Sequence, residues 1–392
     1  MRAVICGAGI AGLAAAARLH HHGWEVCVVE KAPGPRPQGY MIDFFGPGYE
    51  TLGLMGLRSR LHELGRRVDG IEYIDSEERV RARVDYAAFE KAAKGEIVSL
   101  LRPDLELLLR ETVGDKVDLR YATTIDHIDD TPGGATVTLS DGSIHDADMV
   151  VGADGIHSHV RSLVFGPEQD YLYYLGMHTA AFVFDDPETA RRVDRKFVML
   201  DDVDAQLGLY TTRDDRVAVF AVHRSPDMAL PADPREVLQQ RFQHLGGLAR
   251  RALAHCPPSD ELYYDQVAQI ELPRWSNGHT VLLGDAAYAV SLIAGQGASL
   301  GVTGAYVLAE RLAAADSVPE ALDDFERRVR SLVDDRQAVV RRRGANVFLP
   351  SSPLRLRLRY GVMKALRLPG TSRLLRNGLI GKFHTPVADL SA

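Results

Sequence analysis

Cysteine is scarce in this chain of 392 residues: Cys6, Cys27 and Cys256 are the three that occur. Thiols so few and so scattered supply neither a disulfide framework nor a zinc site, and they fit a reducing, cytoplasmic setting. Long hydrophobic runs are missing too. No stretch reaches the roughly 18 uninterrupted apolar residues that a helix needs to cross a bilayer. The apolar N-terminal stretch that ends near Leu19 is broken by Gly7, Gly9 and Gly12, which argues against reading it as a secretion signal. Positive charge is in deficit, with 46 Lys+Arg against 53 Asp+Glu and a net charge of -7. Polyphosphate is therefore not attracted at long range, and a nucleic-acid partner is not expected. No metal site is expected either. His20, His21 and His22 are consecutive near a helix end and point in different directions, so they cannot converge on one ion.

What remains is an ordinary globular composition, 46% apolar and 25% charged, without internal repeats or low-complexity tracts. At about 150 residues per domain the length predicts two or three domains. Residues Ala3 to Cys6 read as a short apolar strand, Leu13 to Leu19 as an alanine-rich helix, and Val26 to Glu30 as a second strand. This is a βαβ unit with a right-handed crossover. Glu72 to Tyr86 reads as a hairpin away from the main sheet, and Arg102 to Thr112 as a helix with Pro103 in its first turn. Two or three strands are expected between Asp118 and Val151, split at Gly133-Gly134 and Asp141-Gly142. Four strand-like runs follow, Gly176–Phe184, Phe197–Leu200, Gln206–Thr211 and Val217–Val222. No long helix separates them, so they should pair as a largely antiparallel sheet with one face free to line a pocket. A helix at Pro234–His244 and a strand near Val267–Glu271 close this insert, and a buried strand at Thr280–Leu283 and a helix from Gly297 to Ala315 return to the first unit. The stretch Arg341 to Lys364 is basic and leucine-rich, with Val347, Leu349, Leu354, Leu358 and Val362 at helical spacing. Packing of these leucines across both domains is the expected use, ahead of contact with an anionic membrane.

Gly7-Ala8-Gly9-Ile10-Ala11-Gly12 lies between strand and helix, the context that gives a glycine pattern meaning. Gly7 permits the turn, Gly9 lets a pyrophosphate approach the backbone, and Gly12 lets the helix pack on the strand. The helix start at Ile10 and Ala11 offers free N–H groups and a partial positive charge to a diphosphate. Glu30, followed by Lys31, ends the second strand about twenty residues further on, where a carboxylate accepts hydrogen bonds from ribose hydroxyls. A carboxylate there repels a 2′-phosphate, which favours FAD or NAD over NADP at this site.

Two further segments follow buried strands: Gly152-Ala153-Asp154-Gly155-Ile156-His157-Ser158-His159-Val160-Arg161, and Gly284-Asp285-Ala286-Ala287 with Gly295-Gln296-Gly297 after it. With these in order, the chain resembles the single-component FAD-dependent aromatic hydroxylases. That family includes para-hydroxybenzoate hydroxylase and tetracycline-inactivating and natural-product tailoring monooxygenases. The likeness extends to about residue 345. It implies an α/β fold in which a Rossmann-type FAD-binding domain, in segments 1–71, 95–170 and 273–345, carries an inserted, largely antiparallel β-sheet substrate domain. That insert would comprise the hairpin 72–94 and residues 171–272, and a C-terminal helical segment would occupy 346–392. It also implies that Asp285 bonds the ribityl chain, that Asp154 lies near the pyrophosphate and the path of the nicotinamide donor, and that Arg102 contacts the cofactor. Gly295, Gly297 and Ala298 would present helix N–H groups to the pyrimidine edge of the flavin, where reduced flavin gathers negative charge. Gln38 to Asp43 resembles the segment beside the isoalloxazine ring, which makes Asp43, Leu292 and Gly295 flavin-proximal candidates. Met177, Phe182, Tyr210 and Phe220 are candidate substrate-lining residues.

By the same resemblance the activity is that of an FAD monooxygenase. A visiting NADPH or NADH would reduce the flavin, O2 would form a C4a-hydroperoxide, and one oxygen atom would pass to an aromatic, polyketide-like or other electron-rich small molecule by hydroxylation or Baeyer–Villiger insertion. The flavin carries the difficult chemistry, so no acid–base triad is required of the protein. The chain departs from the family where relatives commonly carry His and Pro: here those positions are Tyr288 and Leu292, with Ser291 adjacent. This departure keeps open a non-redox alternative, such as a cyclase that uses FAD as scaffold. A binding module that docks a lipidated partner is a third reading. Flavin halogenases are set aside, because Trp24 and Trp275 are the two tryptophans and the Trp-x-Trp-x-Ile-Pro segment is absent. Oligomeric state is not legible.

Overall fold

The computed structural model describes residues 1–35, 39–87, 97–344, 348–365, 387 and 390. Gln38, Val347, the end of the expected hairpin segment and most of the expected C-terminal segment lie outside the described residues.

The first strand, Arg2–Cys6, sits near the centre of a six-stranded sheet. It pairs in parallel with Glu25–Glu30 on one side and Met149–Gly152 on the other. Asp118–Tyr121 continues the parallel sheet beyond Glu25–Glu30, and Thr280–Leu282 continues it beyond Met149–Gly152. The short strand Ser276–Asn277 is the antiparallel edge. Strands covered on both faces need apolar side chains in succession, and Ile5, Val28, Val29, Met149, Val150 and Val151 are all fully buried. The return of Thr280–Leu282 assembles this layer from distant parts of the chain, as the sequence pattern predicted. Helices Ile10–His21 and Gly297–Ala314 pack against each other. At that contact Gly301 brings its backbone so near Ala11 that a Cβ added to it would stand 3.3 Å from the alanine methyl.

Two readings of the middle of the chain need correction. Residues 118–152 hold five strands rather than two or three: Asp118–Tyr121 and Met149–Gly152 join the parallel sheet, while Ile125–Thr131, Gly134–Leu139 and Ile144–Ala147 form a separate antiparallel sheet. Alternation alone could not divide them, because the connecting turns are only a few residues long. The helix Val318–Val339 was not foreseen, although Ser317 and Glu320 carry its N-terminal signature: the Ser317 hydroxyl accepts from the Glu320 N–H at 3.4 Å.

The second layer is a seven-stranded sheet. Its order is Tyr263–Ile270, Leu172–Phe184, Val217–Arg224, Ala205–Thr211, Lys196–Asp202, Gly70–Ile74, Val80–Asp85. Every neighbouring pair is antiparallel except Lys196–Asp202 with Gly70–Ile74. Side chains alternate between faces. One face carries Phe182, Phe184, Leu207, Leu209, Val217 and Val219 into a core with Leu238 and Phe242 of helix Pro234–Phe242 and Leu248 of helix Gly247–Ala254. The other face, with Met177, Phe220 and Tyr210, turns toward the first layer.

The helix Pro353–Ala365 corrects the expectation for the basic C-terminal stretch. Leu349, just before it, is fully buried, but Leu354, Leu358 and Val362 are 75%, 65% and 51% exposed. The face that docks is instead that of Tyr360 and Met363, which pack with Tyr73 and Met199. The cause is electrostatic. Asp201 is wholly buried, and Arg359 is the cation that pairs with it, so this ion pair sets the helix rotation in place of the leucines. Among the described residues no helix is long and apolar enough to cross a membrane.

Candidate functional site

The glycine turn is built by close contacts. A Cβ on Gly7, whose φ is +107°, would stand 2.4 Å from the Ala153 carbonyl oxygen, and one on Gly12 would stand 1.9 Å from that of Gly7. These two glycines close the turn onto the strand and the Asp154-Gly155 segment. Gly9 is different: around it a Cβ would meet only the Arg102 guanidinium, at 3.6 Å. Gly155 and Gly295 have nothing within 4 Å of such a position. Backbone is thus laid bare along one line, as the approach of an extended ligand requires.

That line borders two cavities. The larger, about 1150 Å³ counted to its open mouth, is lined by Gly9, Ile10, Ala11, Asp43, Arg102, Asp285, Leu292, Gly295, Gly297 and Ala298. The second, about 740 Å³, is lined by Gly7, Gly9, Glu30, Lys31, Arg102 and Asp154. Gly9, Arg102, Ala153 and Gly155 belong to both, so the two form one elongated cleft. Of the predicted cofactor contacts only Gly12 does not line it.

At the narrow end Glu30 is held by two backbone donors, Ala8 N–H at 3.0 Å and Ala32 N–H at 2.9 Å, which fix its carboxylate at the rim. Asp154 has its side chain committed elsewhere: it accepts from Ser158 Oγ and from the His159 and Val160 amides, the latter two at 2.7 and 3.1 Å. It thereby caps the helix His159–Val164 and offers the cleft its backbone. Arg102 donates its N–H to the Tyr40 carbonyl at 3.0 Å and its guanidinium to Glu106 at 3.1 Å. Asp285 lines the wide end and is open to it, so its carboxyl is accessible from the cleft. The protein walls around it raise the carboxyl above the usual range, and the Arg102 charge opposes that shift.

Asp43 lies directly across a two-stranded ladder from Ser99. Its Oδ1 accepts from Ser99 Oγ at 2.6 Å and from the Tyr86 hydroxyl. Burial raises the Asp43 carboxyl above its ordinary range, and the Ser99 and Tyr86 hydrogen bonds oppose the shift. A carboxyl so placed can hold or release a proton inside the cleft.

The four substrate candidates separate by sheet face. Met177 and Phe220 cluster with Val267, Leu292 and Ile293 beside the wide end, and Phe220 packs against Tyr40 at 5.6 Å. Tyr210 is buried against Phe197 and accepts from the Met41 N–H. Phe182 belongs to the core on the far face. None of the four lines the cavity itself. The sheet side of its wall comes from Tyr263, Asp265, Gln266, Val267 and Ala268. The hydrophobic pattern places this strand near Val267–Glu271, whereas it starts at Tyr263, so Tyr263, Asp265 and Gln266 fall outside the expected strand.

Tyr288 does not stand where the resemblance suggested. Its ring lies 4.5 Å from Trp275 in the protein interior, and its hydroxyl is so close to Gly304 that a Cβ there would be 2.1 Å away. It does not line the cleft, whereas Leu292 and Ser291 do. Ser291 adopts φ +80°, uncommon for a residue with a side chain, and its Oγ accepts from the Ile293 N–H at 3.3 Å.

Residues 1–340 match the family described as FAD binding domain. The chain is 33% identical to the uncharacterized protein Rv1260 of Mycobacterium tuberculosis (strain ATCC 25618 / H37Rv) over 326 residues, 80% of this chain and 85% of that one. It is 30% identical over 380 residues to the FAD-dependent monooxygenase asL6 of Sarocladium schorii, covering 86% of each. Among solved structures it is similar to tetracycline destructase Tet(55), with a TM-score of 0.79, 25% identity, and coverage of 92% of this chain and 95% of that one.

Proposed function

The chain belongs to the FAD-binding-domain family of flavin-dependent monooxygenases, and from that premise we propose an oxygenation that uses NADPH or NADH as transient reductant and O2 as oxidant. The substrate is an aromatic, polyketide-like or other electron-rich small molecule, which is either hydroxylated or, at a carbonyl, converted to an ester or lactone by Baeyer–Villiger insertion. The carrying observation is that both cavities join through Gly9, Arg102, Ala153 and Gly155 into one cleft with backbone bared along its length. An extended dinucleotide fits such a cleft, and its ring end opens under the seven-stranded sheet.

When bound, FAD supplies the passage of electrons from the donor to O2 and of one oxygen atom to the substrate. The protein's residues do the rest. Gly9, the N-terminus of helix Ile10–His21 and Arg102 would receive the diphosphate, where N–H groups and a cation offset its charge. Glu30 would accept from the ribose hydroxyls, and Asp285 would bond the ribityl chain. Gly295, Gly297 and Ala298 would hold the pyrimidine edge at the start of helix Gly297–Ala314, favouring negative charge there. Tyr40, Tyr263, Val267 and Leu292 would exclude water from the reacting centre and position the substrate carbon. Asp43, oriented by Tyr86 and Ser99, would exchange a proton there.

The test is turnover by the purified, FAD-loaded protein. NAD(P)H oxidation should rise with an accepted substrate and match O2 uptake, and isotopically heavy O2 should label the product. Conversion in anaerobic buffer without a donor would overturn oxygen transfer in favour of a non-redox flavoenzyme. Failure to take up FAD would overturn the cofactor assignment.

A further inference from the structure

The helix Pro353–Ala365 has two faces with different uses. Arg359, Tyr360 and Met363 hold it to the seven-stranded sheet. On the opposite side Leu354, Leu358 and Val362 recur every four residues and form one stripe, 75%, 65% and 51% exposed. At about 3.6 residues per turn, Arg355 flanks this stripe on one side and Arg357 and Lys364 on the other. All three cations are exposed, and among the described residues no carboxylate pairs with any of them. An apolar stripe between cations is the pattern of a helix lying in a bilayer interface, with leucines in the acyl boundary and basic heads at the phosphates.

The charge distribution along the chain points the same way. Between residues 341 and 388 there are eleven Arg or Lys and no Asp or Glu, in a protein whose net charge is -7, and of the eleven Arg341 and Arg359 pair with Glu271 and Asp201. The rest of the chain is therefore strongly acidic, and an anionic surface repels it while attracting this end. The outward face of the helix is the side such a field would turn toward the surface. Nucleic acid would match the cations and leave the leucines unburied.

We propose that the outward face of helix Pro353–Ala365 docks the protein on an anionic lipid bilayer, reversibly and without crossing it. Three apolar side chains and a handful of cations give binding that depends on both terms and weakens as salt screens the charges.

Flotation of the full-length, FAD-loaded protein tests this with vesicles of phosphatidylcholine containing one-third phosphatidylglycerol. The protein should float with these at low salt, be released at high salt, and remain unbound with phosphatidylcholine alone. The pair Arg355→Glu and Arg357→Glu should lower partitioning by about thirtyfold or more, and the pair Leu358→Ser and Val362→Ser should also release the protein. These side chains are exposed, so FAD content and melting temperature should stay unchanged. No flotation, equal flotation on pure phosphatidylcholine, or indifference to either pair would overturn the proposal. So would a dimer in sedimentation velocity that Leu358→Ser dissociates, because the stripe would then be a seam between copies.

Discussion

Gly9 and Gly12 stand three residues apart and should behave in opposite ways when mutated. A methyl on Gly12 runs into the Gly7 carbonyl at 1.9 Å, so Gly12→Ala should destabilise the protein by about 2 kcal/mol or more, read as a lowered melting temperature. A methyl on Gly9 meets only the end of Arg102 at 3.6 Å. Gly9→Ala should therefore leave the melting temperature of the FAD-stripped protein nearly unchanged while weakening FAD binding in a fluorescence titration. A stable Gly12→Ala variant would show that the turn relaxes more easily than its contacts indicate. Asp43 provides a second test at this scale. Its Oδ1 accepts from Tyr86, and that bond holds the carboxyl lower than burial alone would. Tyr86→Phe should move any Asp43-dependent change in the flavin spectrum to higher pH, and Asp43→Asn should abolish it. A transition that survives in Asp43→Asn belongs to another group.

Strand Tyr263–Ile270 serves two environments, because its side chains alternate. Tyr263 and Asp265 line the cleft, while Tyr264 points behind the sheet, where its hydroxyl meets His178 Nδ1 at 3.1 Å and His223 Nε2 at 2.8 Å. Both imidazoles are buried, and burial presses the His223 pKa down to about 4. The sign follows from linkage: the unfolded chain takes up a proton near 6.5 that the folded one refuses until about 4, so stability is complete above that window and falls as pH drops through it. The loss is on the order of 3 kcal/mol. Urea titrations between these pH values should show it, and His223→Gln should flatten the dependence. If both proteins lose stability equally, the acid sensitivity lies elsewhere. The helix Val318–Val339 is another element with distant duties: Gln337 donates to the carbonyls of Ile270 and Ala289 at 2.8 and 3.0 Å, tying the cleft's strand to the loop after Asp285.

Across the molecule, the two layers meet at His157. Its ring lies 2.9 Å from Asp265 on the seven-stranded sheet and 3.0 Å from Glu168, and the hydrogen bond to Asp265, ahead of the other influences, raises its pKa to about 9. A raised histidine pKa stabilises the fold fully below about 6.5, and that contribution disappears as pH climbs through 9. His157 is 42% exposed, so screening keeps the effect below about 1 kcal/mol. Thermal melts from neutral to alkaline pH should show a small decline that His157→Gln lacks. An identical decline in the variant would assign it to other groups.

The amino-acid sequence by itself determined the glycine turn, Glu30 and the helix that follows the turn, because a βαβ unit closes through contacts between residues near in the chain. It also announced Asp285 and Gly295 to Gly297, whose strand–loop–helix setting is equally local. Tertiary structure alone decided which strand face meets the cleft. Phe182 and Phe220 look alike in sequence, but register with neighbouring strands turns one into the core and the other toward Tyr40. Tyr288 points inward because Gly304, sixteen residues later, leaves room for its hydroxyl. The leucines of the last described helix face outward because a buried carboxylate on another element claims Arg359. Each outcome depends on a partner far away in the chain, and hydrophobic periodicity records only that a residue is apolar, not which surface arrives to cover it.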